Sequence, residues 1–113
     1  MRIVCSIALM VASVGAAHAH AMLHHASPAA GSTVSDPHEL ALEFSDGLEP
    51  AFSSADVTDS SGARVDQGKP EVSGKTIRVG LKTLAPGSYR VHWKAVSTDT
   101  HKMEGNFTFN VGK

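Results

Sequence analysis

Apolar and polar residues alternate along much of the chain. "ELALEFSD" (39–46) sets Leu40, Leu42 and Phe44 on one side of an extended segment, and "KTIRVGL" (75–81) does the same with Ile77, Val79 and Leu81. "SYRVHWKAV" (88–96) aligns Tyr89, Val91, Trp93 and Ala95, and "NFTFNV" (106–111) aligns Phe107, Phe109 and Val111. A period of two is the signature of strands with one buried face. Weaker strands are expected at 21–27 and 53–59. "SPAAGS", "DSSGA", "KPEVSGK" and "LAPG" punctuate the pattern as turns. No amphipathic helix of useful length interrupts it. The expected fold is all-β: an immunoglobulin-like, Greek-key antiparallel β-sandwich of about seven strands, with Trp93 at the centre of the core.

Residues 1–19 follow another rule. "MRIVCSIALMVASVG" carries one positive charge, Arg2, then an apolar stretch from Ile3 to Val14, and small residues at Ala16, Ala17 and Ala19. That order is the one found in a secretory signal peptide, and the run is too short for a membrane-spanning helix of about 20 residues. "AHAHA" offers two cleavage sites. A cut after Ala19 exposes His20; a cut after Ala21 exposes Met22. Signal-peptide rules alone do not separate them. The expected division is a leader over 1–19 and one domain over 20–113, placed in the periplasm.

Removing the leader changes the chemistry on offer. The only cysteine, Cys5, lies in the leader, too early and too poorly preceded to carry a lipid. The exported domain therefore has no thiolate and no disulfide, although its compartment permits them. Loss of Arg2 leaves nine basic residues against eleven acidic ones, which does not make a nucleic-acid or anionic-membrane surface.

Two places could hold a metal. Four histidines crowd into residues 17–25, "AHAHAMLHH", and Asp99 and His101 stand one residue apart in "STDTHKMEGNFTF" (97–109). In an extended segment, positions i and i+2 project to the same side, so this carboxylate and imidazole converge near one end of the sandwich. Alone, Asp-x-His is a weak signal that fits a solvated turn better than a metal site. A chain beginning at His20 adds an α-amine and an imidazole on one residue, and an amine of pKa about 7.7–8.0 gives up its proton to a metal near neutral pH. Three nitrogens and one oxygen form a set that suits Cu(II).

Together these stretches resemble the CopC family of periplasmic copper-binding proteins. The resemblance rests on "HAMLHHASPAAGSTV", "LALEFSDGLEPAF" and "LAPGSYRVHWKAVSTDTHKMEGNFTF", in that order along the whole exported domain. It implies one Cu(II) per chain, held by His20, Asp99 and His101, in a protein that sequesters or carries copper and is not an enzyme. It also implies an inner-membrane partner of the CopD type. Some relatives carry a methionine-rich Cu(I) loop. The matching stretch here, "LEPAFSSADV", has none, and the only methionines after the leader are Met22 and Met103. Position 22 is methionine where many relatives have histidine. A chain starting at Met22 would instead present Met22-Leu23-His24 as a chelating tripeptide. His24 and His25 are expected on alternate faces of the first strand. His92 is expected to face outward, and His38, Asp46 and Glu49 to be solvated. A competing reading is a copper-dependent oxidative enzyme with a histidine brace, against which stand the short chain and its single Trp and single Tyr.

Overall fold

The computed structural model describes residues 22–113, so the expected leader, its expected cleavage site and His20 lie outside the described residues. Eight strands form two four-stranded sheets. The first sheet holds β1 (Leu23–Ser27), β3 (Glu39–Phe44), β6 (Thr76–Leu81) and β5 (Asp66–Ser73), hydrogen-bonded in that order. The second holds β2 (Thr33–Val34), β8 (Lys102–Val111), β7 (Gly87–Val96) and β4 (Ser54–Asp59). The immunoglobulin-like sandwich expected from the alternation is therefore present.

Its core consists of the alternating positions. Leu40, Leu42, Phe44, Ile77, Val79, Leu81, Val91, Ala95 and Phe109 are all buried, and Trp93 is 9% exposed. Phe44 meets Trp93 edge-on, with centroids 5.1 Å apart, and Tyr89 stacks on Phe109 at 5.7 Å. These rings are the favourable T-shaped and offset arrangements of aromatic pairs. Trp93 lies against Gly105, its register partner on β8. A Cβ at Gly105 would stand 2.5 Å from the indole, so only glycine fits. Tyr89 donates its hydroxyl to the Ala85 carbonyl at 2.5 Å, which ties the "LAPG" turn to the start of β7.

Three expectations need correction. "KPEVSGK" is not a turn through its length: residues up to Ser73 belong to β5, and the reversal is made around Gly74, at φ +59°. β5 is an edge strand with a register shift between Gln67 and Glu71, which admits Pro70 and erases the apolar alternation. The sandwich is not wholly antiparallel, because the two-residue β2 pairs with β8 in parallel. The last strand begins at Lys102, four residues before the expected Asn106.

Candidate metal site

One end of the sandwich gathers four segments. Met22 opens β1 beside the end of β3, where Leu23 pairs with Phe44. The connection from Ser45 to Ser53 crosses there from the first sheet to the second. The turn at Gly74 and the β7–β8 connection, residues 97–101, complete the rim. Backbone hydrogen bonds knit them together. Ser45 N–H donates to the Met22 carbonyl at 2.9 Å, and Met22 N–H donates to Ser45 Oγ at 2.7 Å. Leu48 N–H reaches the Gly74 carbonyl, Thr98 N–H the Gly47 carbonyl at 3.0 Å, and Glu49 N–H the Val96 carbonyl at 2.8 Å. Leu48, 4% exposed, plugs the core beneath.

Asp99 and His101 sit on this rim, and the structure brings them together. Asp99 Oδ1 is 3.1 Å from His101 Nδ1, with the side chains 61% and 44% exposed. The expected reason was an extended segment; the actual one is a tight turn. Thr100 lies in the left-handed region at φ +73°, and its N–H donates to the Ser97 carbonyl at 2.8 Å. Ser97 N–H donates to the His101 carbonyl at 2.9 Å, closing the loop. The turn folds the two side chains toward each other where simple alternation would have placed them in parallel.

Ser97, which had no assigned role in the sequence reading, is the hub of this loop. It is fully buried. Its hydroxyl bonds Asp99 Oδ1 and accepts the His101 N–H at 3.2 Å. The Ser97 hydrogen bond, and after it the one from the His101 ring, hold the Asp99 carboxyl below the usual carboxylate range. Asp99 is therefore an anionic oxygen donor at neutral pH. His101 Nδ1 and the Asp99 carboxylate face each other, so the loop turns one donor from each residue toward the same place.

The other described histidines do not form a site. A bulge between Leu23 and His25 breaks the alternation of β1, so His24 and His25 are both exposed, contrary to the expectation of opposite faces. His92 faces outward, as expected, between Glu104 (Nε2 to Oε2, 2.6 Å) and Asp56 (Nδ1 to Oδ2, 3.8 Å). Those carboxylates occupy opposite ring nitrogens and cannot converge on one ion. His38 is exposed, 3.5 Å from Asp36. Asp46 and Glu49 are half-buried on the rim. Among the described residues no three His, Cys, Asp or Glu side chains come together as a metal-holding group. Asp99 and His101 are two groups that could hold a metal, fewer than a closed site needs.

A small β-sandwich with a carboxylate–imidazole pair at one end defines the class. The CopC domain profile matches residues 23–112, and the chain belongs to the CopC family of copper resistance proteins. It is 32% identical to copper resistance protein C of Xanthomonas campestris pv. juglandis, over 96% of this chain and 94% of that one. It is 39% identical to Protein YobA of Escherichia coli K12, over 82% of this chain and 79% of YobA. Among solved structures it is similar to PcoC, a methionine-rich copper resistance protein from Escherichia coli, with a TM-score of 0.74 and 37% identity, over 83% of this chain and all of that one.

Proposed function

We propose that the exported chain begins at His20 and binds one Cu(II) in the periplasm. The donors are the His20 amine and imidazole, a ring nitrogen of His101 and the Asp99 carboxylate. The chain acts as a copper-sequestering or copper-carrying protein, handing its ion to an inner-membrane partner of the CopD type, and carries out no turnover of its own.

The observation that carries this reading is the Ser97-held pair of Asp99 and His101 on the rim where Met22 also stands. Met22 is anchored to Ser45, and the same connection is bonded through Gly47 to Thr98. Two residues of chain span at most about 7 Å, so His20 begins within reach of this rim. The amine and imidazole chelate from one residue, and the sandwich supplies a carboxylate and an imidazole already facing each other. Nitrogen and anionic oxygen donors in such a set favour Cu(II) among the divalent first-row metals.

The alternative start at Met22 fits less well. A chelating tripeptide wraps its own backbone amides around the ion. Here Met22 N–H is bonded to Ser45 Oγ and Leu23 is paired with Phe44, so wrapping would strip the first residues off the sheet.

Competition against a Cu(II) chelator, using chain that starts at His20, tests the proposal. The expected result is one tight Cu(II) per chain, with an EPR spectrum of three nitrogens and one oxygen, and no peroxide formation beyond that of free copper when a reductant is added. Two equal ions, or a spectrum unchanged in His101→Ala, contradicts it.

A further inference from the structure

We infer that Ser97 is a positioning residue for the metal site, acting through Asp99. This inference rests on the Cu(II) reading above and adds a determinant to it. The argument begins with the hydroxyl's capacity: one proton to donate and two lone pairs to accept. Ser97 is completely removed from solvent, so no water completes its bonds. Three partners surround Oγ: Asp99 Oδ1, the His101 N–H at 3.2 Å, and the His101 carbonyl at 3.4 Å. The single proton goes to the carboxylate, because a charge-assisted bond is about twice as strong as a neutral one. A lone pair then accepts the His101 N–H. The His101 carbonyl has its own donor, the Ser97 N–H at 2.9 Å.

One buried hydroxyl thus anchors the carboxylate donor directly and only touches the backbone beside the imidazole. It holds Asp99 by Oδ1 and so sets the direction of the other carboxylate oxygen. Asp99 itself is mostly exposed and has no other anchor among the described residues beyond His101. Without the hydroxyl, its side chain regains rotamer freedom that metal binding must then remove. The anchor is rigid: Ser97 bridges Leu48, and its neighbour Thr98 bonds Gly47, on the connection that also holds Met22.

A double-mutant cycle on the His20-start chain tests this, with Cu(II) affinity measured by chelator competition and EPR recorded on each variant. Ser97→Ala should weaken Cu(II) binding about 10-fold, within the range for residues that orient metal ligands. In an Asp99→Ala background the same change should cost less than about 2-fold, because its target is gone. The Ser97→Ala spectrum should move toward that of Asp99→Ala, keeping its nitrogens and losing the carboxylate oxygen. Ser97→Thr, which keeps the hydroxyl, should retain the parent spectrum, and this arm stands if the alanine variant does not fold. Equal losses in both backgrounds, or a parent spectrum in Ser97→Ala, overturns the inference. So does a Ser97→Thr protein that folds but shows the Asp99→Ala spectrum. If Asp99→Ala itself leaves affinity and spectrum unchanged, the carboxylate is not a donor, and the proposed function fails along with it. If Asp99→Ala weakens binding and Ser97→Ala does not, only the inference fails.

Discussion

At the scale of single residues, the proposed site divides between Asp99 and His101, which the fold holds, and His20, which the proposed chain end would supply. Asp99 and His101 were legible as candidates because a carboxylate and an imidazole stood one residue apart between two alternating strands. Their geometry was not legible. It depends on the left-handed Thr100 and on the buried Ser97; the Ser-x-Asp-x-His spacing marks that serine but says nothing of its burial or its bonds. His101→Ala removes one nitrogen and should lower Cu(II) affinity by about 100-fold or more, exceeding the effect of losing an orienting residue. The terminal chelate should remain, visible in EPR as a weaker site with one nitrogen fewer. Asp99→Ala should fall between parent and His101→Ala, since water replaces an oxygen donor more readily than a nitrogen one. Circular dichroism should show both variants folded, because neither side chain belongs to the core.

At the scale of elements, the strands that read clearly were those with one face in the core. β3, β6 and β7 alternate without interruption, and the apolar residues on their inward face are buried. β5 escaped because an edge strand needs no such alternation: "DQGKPEVS" carries Pro70, a glycine at φ +76° and a register shift. Phe107, placed in the core on the same alternation as Phe109, is only half-buried. What joins β5 to β4 is polar. Asp66 Oδ1 accepts the buried Val57 N–H at 3.0 Å, and its two oxygens take the Arg64 guanidinium at 2.8 Å each. The Arg64 hydrogen bonds first, and the Val57 amide with them, hold the Asp66 carboxyl below the usual range. Its contribution is therefore whole above the unfolded value of about 3.9 and lost as pH falls through the lower folded value. Asp66→Ala leaves the Val57 amide unpaired and should cost about 1–3 kcal/mol. In acid melts below about pH 3.9, the difference between this variant and the parent should shrink. Gly105→Ala forces a methyl into the Trp93 indole and should cost about 1–3 kcal/mol by overpacking. Thermal melts give the cost, and a changed Trp93 emission gives its place. An unchanged melting temperature would show that β8 yields there without strain.

At the scale of the whole molecule, the sandwich brings Met22, two residues from the proposed chain end, and the distant loop 97–101 to one rim. Alternation predicted the two sheets. The mixed pairing of β2 did not follow from it, because two residues carry no period. The proposed preference for Cu(II) over Cu(I) belongs to the same scale. PcoC, similar in fold, is methionine-rich. This chain keeps only Met22 and Met103 after the leader, and thioethers are the ligands that favour Cu(I). Anaerobic competition against a Cu(I) chelator should show weak Cu(I) binding beside tight Cu(II). Retention of a separate tight Cu(I) would mean that these two methionines suffice.

The central claim is that the chain end at His20 closes the site that Ser97, Asp99 and His101 prepare. Its most direct test compares two proteins differing by one residue: a chain starting at His20 and the same chain with one alanine before it. The extra residue turns the His20 amine into an amide and displaces the chelate, while leaving the Asp99–His101 loop intact. The extended protein should lose more Cu(II) affinity than His101→Ala does, with altered EPR parameters and an unchanged melting temperature for the metal-free form. Equal affinity and identical EPR parameters in the two proteins would show that the terminus is not a ligand, and would contradict the account.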